Sequence, residues 1–205
     1  MRKGKNLMTH EHPLKAFTAL ALACFIVTAA DAEVLDAGPG GFTISHKTEI
    51  SASRTEVYNA AVDNVGDWWS DDHTLSGDAS NMTIDARTQG CFCEALGEGA
   101  GVVHLTVTFV NPGVILRLSG GLGPLGLMGV SGNMTWEFAD SENGTIVTLN
   151  YAVGGYLPDG LDSIAEAVDA VLVEQMTSLK AFVEDDGQDR IVMPEEPHYR
   201  ENGGS

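Results

Sequence analysis

Residues 161–184, LDSIAEAVDAVLVEQMTSLKAFVE, constrain the fold more than any other stretch of the chain. Leu161, Ile164, Val168, Val171, Leu172, Met176, Leu179 and Val183 recur at steps of three and four, which is one apolar stripe along a helix. Asp162, Glu166, Asp169, Glu174 and Lys180 fall largely off that stripe, so one face is wet and the other buried. Residues 42–156 read instead as strand and turn. A single long helix that follows a run of strands is most simply laid across the concave face of their sheet. The expected class is therefore α+β, a curved antiparallel sheet around a C-terminal helix.

At the other end, Arg2, Lys3, Lys5 and Lys15 precede AFTALALACFIVTAA, an apolar run of about fifteen residues closed by Ala30-Asp31-Ala32 as an A-x-A site. Residues 1–32 read as a secretory signal cleaved after Ala32, because the run is short for a membrane span. The mature chain is then expected in the periplasm or secreted, with no stable membrane insertion. Removing residues 1–32 takes four of the 11 basic and two of the 29 acidic residues, leaving 7 against 27 and a formal charge of −20. Such a surface repels phosphate backbones and anionic bilayers, which argues against nucleic-acid binding.

Between these ends, residues 33–41 read as a linker. Phe42, Ile44, His46, Thr48 and Ile50 alternate as a first strand. Ser53 and Glu56 have the spacing of a capping box and open a short helix that Gly66 ends. Trp68 and Trp69 lead into a polar loop holding Asp71, Asp72, His73 and Asp78. Strands are expected at 82–86, 90–96, 102–110, 114–119, 133–139 and 145–154, the last two forming a hairpin around Asn143-Gly144. Residues 120–129, GGLGPLGLMG, fit neither period, and an apolar loop of this kind usually covers something. Residues 185–205, acidic and then rich in Pro, Glu and Gly, read as a disordered tail.

This order, with Asp67-Trp68-Trp69, Gly90-Cys91-Phe92-Cys93-Glu94, Asn111-Pro112-Gly113, Gly121-Leu122-Gly123-Pro124-Leu125, Thr135-Trp136-Glu137-Phe138 and Tyr151-Ala152-Val153-Gly154-Gly155-Tyr156, resembles the helix-grip fold of the START-related SRPBCC superfamily. Within it, the chain is similar to the bacterial branch labelled polyketide-cyclase-like or heat-shock-ATPase-activator-like. The resemblance covers residues 42–184 and implies a seven-stranded antiparallel sheet curled around the terminal helix, with an apolar cavity between them. Members bind unrelated ligands, so the likeness carries little chemistry.

Trp69, Phe92, Leu125, Met128, Trp136, Tyr151 and Met176 are the side chains expected to line that cavity, since aromatic rings and Met give large, adaptable contact area. Adjacent residues face different ways, so one of Trp68 and Trp69 is expected at the cavity and the other under the short helix. Asp72-His73 could act as an acid/base pair or, with Asp71 or Asp78, as part of a metal site, but the spacing matches no ligand pattern and a solvated loop is the default. Glu94 faces the cavity if Phe92 does, and is exposed if Cys91, Cys93 and Ala95 face inward instead. His104 alternates with Thr106 and Thr108 opposite Val103, Leu105, Val107 and Phe109, which places it outside. Arg117 either anchors a ligand carboxylate or pairs with a surface acid such as Glu137. Cys91 and Cys93 read as small buried side chains, because residues i and i+2 of a regular strand lie about 6.5–7 Å apart, at or beyond disulfide reach.

No metal and no cofactor is expected. The ranking is a binder of a small hydrophobic or amphipathic molecule, then a cyclase- or dehydratase-type enzyme using Glu94 or His73, then a co-chaperone that activates an ATPase. Two titratable groups pointing inward, Glu94 and His104, favour the enzyme.

Overall fold

The computed structural model describes residues 31–192, with side chains for residues 34–185. Strands β1 (Asp31–Gly38) and β2 (Gly41–Ile50) precede helices α1 (Arg54–Asp63) and α2 (Val65–Trp68). Strands β3 (Met82–Ile84), β4 (Cys91–Gly97), β5 (Ala100–Asn111), β6 (Ile115–Gly120), β7 (Gly129–Ser141) and β8 (Gly144–Tyr156) follow, then helix α3 (Asp162–Val192). The strands form one sheet in the order β1-β2-β8-β7-β6-β5-β4-β3, every neighbouring pair antiparallel. An open sheet wrapped on a long C-terminal helix is a helix-grip fold. Among the described residues no helix is long and apolar enough to cross a membrane.

Two expected boundaries shift. Residues 33–38 of the expected linker, together with Asp31 and Ala32, form an eighth strand, because their backbone completes the free edge of β2 from Asp31↔Lys47 to Gly38↔Gly41. Helix α3 does not stop at Glu184 but runs on to Val192. The remaining 193–205 of the expected tail, and residues 1–30 of the expected signal sequence, lie outside the described residues.

Local chemistry explains the elements that position the site. The capping box of α1 forms in both directions, with Ser53 accepting from the Glu56 N–H and Glu56 from the Ser53 N–H. Its buried side is Val57, Tyr58, Ala61 and Val62. In β2, Phe42, Ile44, His46, Thr48 and Ile50 all turn inward. His46 meets Asp169 of α3 at 3.0 Å, a polar contact within the layer between sheet and helix. Burial, which Asp169 offsets only in part, lowers the His46 pKa.

Strand β5 departs from simple alternation. Its ladder with β4 slips between Phe92 and Cys93, so that Phe92 faces Leu105 while Cys93 faces Val103 and His104 is the extra residue. A second slip between Val107 and Phe109, against β6, makes Thr108 extra. Each bulge resets which residues face inward. Leu105 and Val107 are buried, whereas Val103 and Phe109 are exposed and His104 turns into the core. The expectation that His104 lies outside is thereby corrected. On β4 the Cα atoms of Cys91 and Cys93 lie 5.4 Å apart, and the two form a disulfide on the outer face. They are not the two buried thiols that regular strand geometry predicts. Arg117, also on the outer face, lies over the Phe109 ring at 5.8 Å rather than anchoring anything inside.

Candidate functional site

A cavity of about 320 Å³ lies at the N-terminal half of α3, between two lips of chain. One lip is the turn after α2, with Trp69, Asp72, His73, Thr74 and Leu75. The other is the 120–128 segment, with Leu122, Gly123, Pro124, Leu125 and Met128. The floor is Ile164, Ala167, Val168, Val171 and Leu172 of α3. The apolar stripe on this helix explains the cavity's place. Leu161, Leu172, Met176, Leu179 and Val183 are buried, but Ile164, Val168 and Val171 are only partly so. Those three face the space, and Leu172 closes its inner end.

Of the seven side chains expected at the cavity, Trp69, Leu125 and Met128 line it. Phe92, Trp136, Tyr151 and Met176 are packed behind it and bound no part of the space. Phe92 supports the Trp69 ring edge-on at 5.2 Å, and Trp136 meets Trp68 at 6.2 Å. Trp68 and Trp69 do divide their roles. The Trp68 Nε1 donates to the carbonyl of Ala60 in α1, and the Trp69 Nε1 to that of His73 at the rim. Both are buried, because the helix ends between them and Trp69 takes extended backbone.

Tyr151 has a different part from the one expected. Its hydroxyl donates to the Gly120 carbonyl and accepts from the Leu122 N–H, pinning the root of the second lip. Burial, offset in part by the Leu122 N–H, raises its pKa. Gly120 has φ +148, and a Cβ there would lie 2.6 Å from the His104 carbonyl oxygen, so the chain turns off β6 there only with glycine. Gln175, which no sequence pattern marks, is fully buried and accepts from the Ser70 N–H of the first lip.

Polar groups at the rim are few. His73 Nε2 lies 3.0 Å from Glu174 on α3, so the imidazole is oriented by that carboxylate and not by Asp72. Ser70 and His73 hold Glu174 below the usual carboxylate range. Asp71 accepts from the Ala79 N–H and Asp78 from the Ser80 N–H and hydroxyl, so these acids stitch their own loop. Among the described residues no group of three or more His, Cys, Asp or Glu could hold a metal ion.

Glu94 and His104 both face inward, 1% and 3% exposed, with His104 Nε2 3.0 Å from Glu94 Oε2. Burial alone pushes the Glu94 pKa up, but the N–H groups of Leu75 and Ser76 together with His104 bring it below the usual range. Neither residue borders the cavity. His104 was legible only to a reader who knew of the bulge, and nothing in a single sequence marks one.

No protein-family model matches the chain, and no curated protein does. Solved structures do. An uncharacterised protein of Rhizobium leguminosarum superposes with a TM-score of 0.51 at 16% identity, over 70% of this chain and 94% of its own. CalU16 of Micromonospora echinospora gives 0.50 at 16%, over 80% and 91%. DynU16, a protein in the dynemicin biosynthetic locus, gives 0.50 at 17%, over 70% of this chain and 48% of its own. The likeness is one of fold. At these identities the chemistry has to be argued from this chain's own cavity.

Proposed function

We propose that this protein binds a small apolar or amphipathic molecule in the cavity between α3 and the two lips. The observation that carries the proposal is the wall itself: Leu122, Leu125, Met128, Val168 and Val171 around a space of about 320 Å³. Ligand sites of about 300–1,000 Å³ are lined in this way, mostly apolar with a few polar groups that orient the guest. The volume lies at the small end of that range, which favours a single acyl chain or a compound of one or two rings over a two-chain lipid. His73 and Thr74 at the rim suit a polar head. The fold that the chain shares with CalU16 and DynU16 is compatible with this use and does not identify the guest.

The apolar fluorophore N-phenyl-1-naphthylamine should bind with one-to-one stoichiometry and be displaced by medium-chain fatty acids or small aromatic polyketides. Ala167→Trp, which projects an indole from the floor of the cavity, should reduce that binding at least tenfold while the protein stays folded. Fluorophore binding that Ala167→Trp leaves unchanged would overturn the assignment.

The alternative, a cyclase- or dehydratase-type enzyme acting in the same cavity, rests on His73. An imidazole that borders the space and is oriented by a carboxylate has the base-and-orienter arrangement of general acid–base catalysis. Glu94 and His104, although inward, favour it less, because their polar atoms are already engaged with each other and with the lips. His73→Ala separates the two readings. A binder should keep its affinity within about threefold, whereas an enzyme should lose turnover of a displacing ligand.

Export is part of the same proposal. It is supported by the apolar run before Ala32 and by the Cys91–Cys93 disulfide, since disulfides persist in oxidising compartments. Sequencing of the cell-free or periplasmic protein should give an N-terminus near Glu33, and one at Met1 or Met8 would overturn it.

A further inference from the structure

The lips of the cavity carry few long-range backbone bonds of their own. Residues 70–74 bond among themselves, as do residues 122–128. What joins one lip to the other is a run of side-chain bonds beneath them. The Leu75 N–H donates to Glu94 Oε2 at 3.1 Å, and the Ser76 N–H donates to Glu94 Oε1. Glu94 Oε2 lies 3.0 Å from His104 Nε2, and the Gly123 N–H donates to His104 Nδ1 at 3.2 Å. A backbone N–H can only donate, so Nδ1 is the acceptor and the imidazole proton sits on Nε2, directed at Glu94. The sequence Leu75/Ser76–Glu94–His104–Gly123 thus runs from lip to lip, and both Leu75 and Gly123 border the cavity. Glu94 and His104 do not, and they keep no group free for a guest.

We propose that Glu94 and His104 are positioning residues that latch the two lips together and thereby set how fast a ligand enters and leaves the cavity. This rests on the ligand-binding reading. A pair that merely filled the core would affect stability and leave exchange kinetics alone, whereas a latch governs both opening and passage.

Two substitutions at one position divide the latch. In His104→Gln the side-chain amide reaches the place of Nε2 and still donates to Glu94, but the Gly123 N–H loses its acceptor. In His104→Asn the amide oxygen occupies the place of Nδ1 and keeps that acceptor, but the shorter side chain no longer reaches Glu94. Stopped-flow mixing with N-phenyl-1-naphthylamine should show association and dissociation rates raised about tenfold or more in His104→Gln, with Kd changed less than threefold. His104→Asn, which cuts the run at Glu94 instead, should raise the rates as well. Hydrogen exchange at Gly123 should rise in His104→Gln in step with them. Fluorophore binding with rates that neither substitution moves would overturn the latch and leave the binding site standing. A wild-type protein that binds no fluorophore would overturn the binding site itself. Should His104→Gln not fold, the wild-type protein still decides the matter: nitrogen chemical shifts of His104 should report the Nε2–H tautomer, and an Nδ1–H tautomer would overturn the latch.

Discussion

Glu94 is a carboxylate removed from water and held by donors from two segments, and the sign of its contribution to stability follows from that. Its pKa in the folded protein is depressed relative to an unfolded value of about 4.3, so above that value the unfolded chain gains nothing by holding a proton. The stabilisation is fully present above about pH 4.3 and is lost as pH falls through the lower folded value. Denaturation followed between pH 7 and pH 3 should show wild type losing stability below about pH 4.3 more steeply than Glu94→Gln, with the two curves converging in acid. Parallel curves would mean that the carboxylate is not held as described. His46 gives a second residue with a sign of its own. Its folded pKa is lowered from 6.5, mainly by burial, so the unfolded chain binds the proton first and stability declines as pH falls below about 6.5. His46→Gln should flatten that part of the profile, measured by chemical denaturation at constant ionic strength.

Among the elements, α3 carries two kinds of apolar residue, and truncation should tell them apart. Leu179 is fully buried on the stripe, so Leu179→Ala should cost about 2–5 kcal/mol, as large-to-small core changes do. Val168 faces the cavity, where neighbours already stand away from it, so Val168→Ala should cost less than about 1 kcal/mol. Urea titration of the two proteins checks the contrast, and equal losses would mean that no space lies beside Val168. The helix was legible because its period persists for six turns, and the β7–β8 hairpin because turn chemistry marks it. Strand β5 was legible as a strand but not in its facing, since two bulges reset an alternation that reads cleanly as Val103, Leu105, Val107 and Phe109. The Cys91–Cys93 bridge was not legible either, since its Cα atoms lie 5.4 Å apart, closer than regular strand spacing gives. Three of the seven expected cavity residues border the space, and two of the others, Phe92 and Trp136, differ for one reason. Large aromatic side chains on a concave sheet pack each other first, as Trp136 does with Trp68 and Phe92 with Trp69. The space is left at the rim, against the smaller residues of α3.

For the molecule as a whole, an open sheet has two edges, and each must be kept from pairing with another chain. At one edge β3 is only three residues long, too short to template a partner. At the other, β1 covers the ten-residue strand β2, and its own ladder slips between Val34 and Asp36, which breaks the outer edge. Strand β1 also packs against α3, so it closes the grip as well as the sheet. Its composition, three glycines, a proline and two acids across residues 33–41, hides a strand that pairing with β2 creates. A chain beginning at Pro39 should therefore expose β2 along its whole length. It should be less stable in urea and form larger species in size-exclusion chromatography with light scattering than the chain that begins at Glu33. Acidic charge on the rest of the surface slows such association but does not block it, because backbone pairing along β2 is local and its outward residues carry no net charge, Thr43 and Ser45 being neutral and Lys47 and Glu49 opposite in sign. Raising the salt concentration should then increase the association of the truncated chain by screening the charge, while leaving the longer chain unaffected. A truncated protein with unchanged stability and size would show that β1 serves neither edge nor grip.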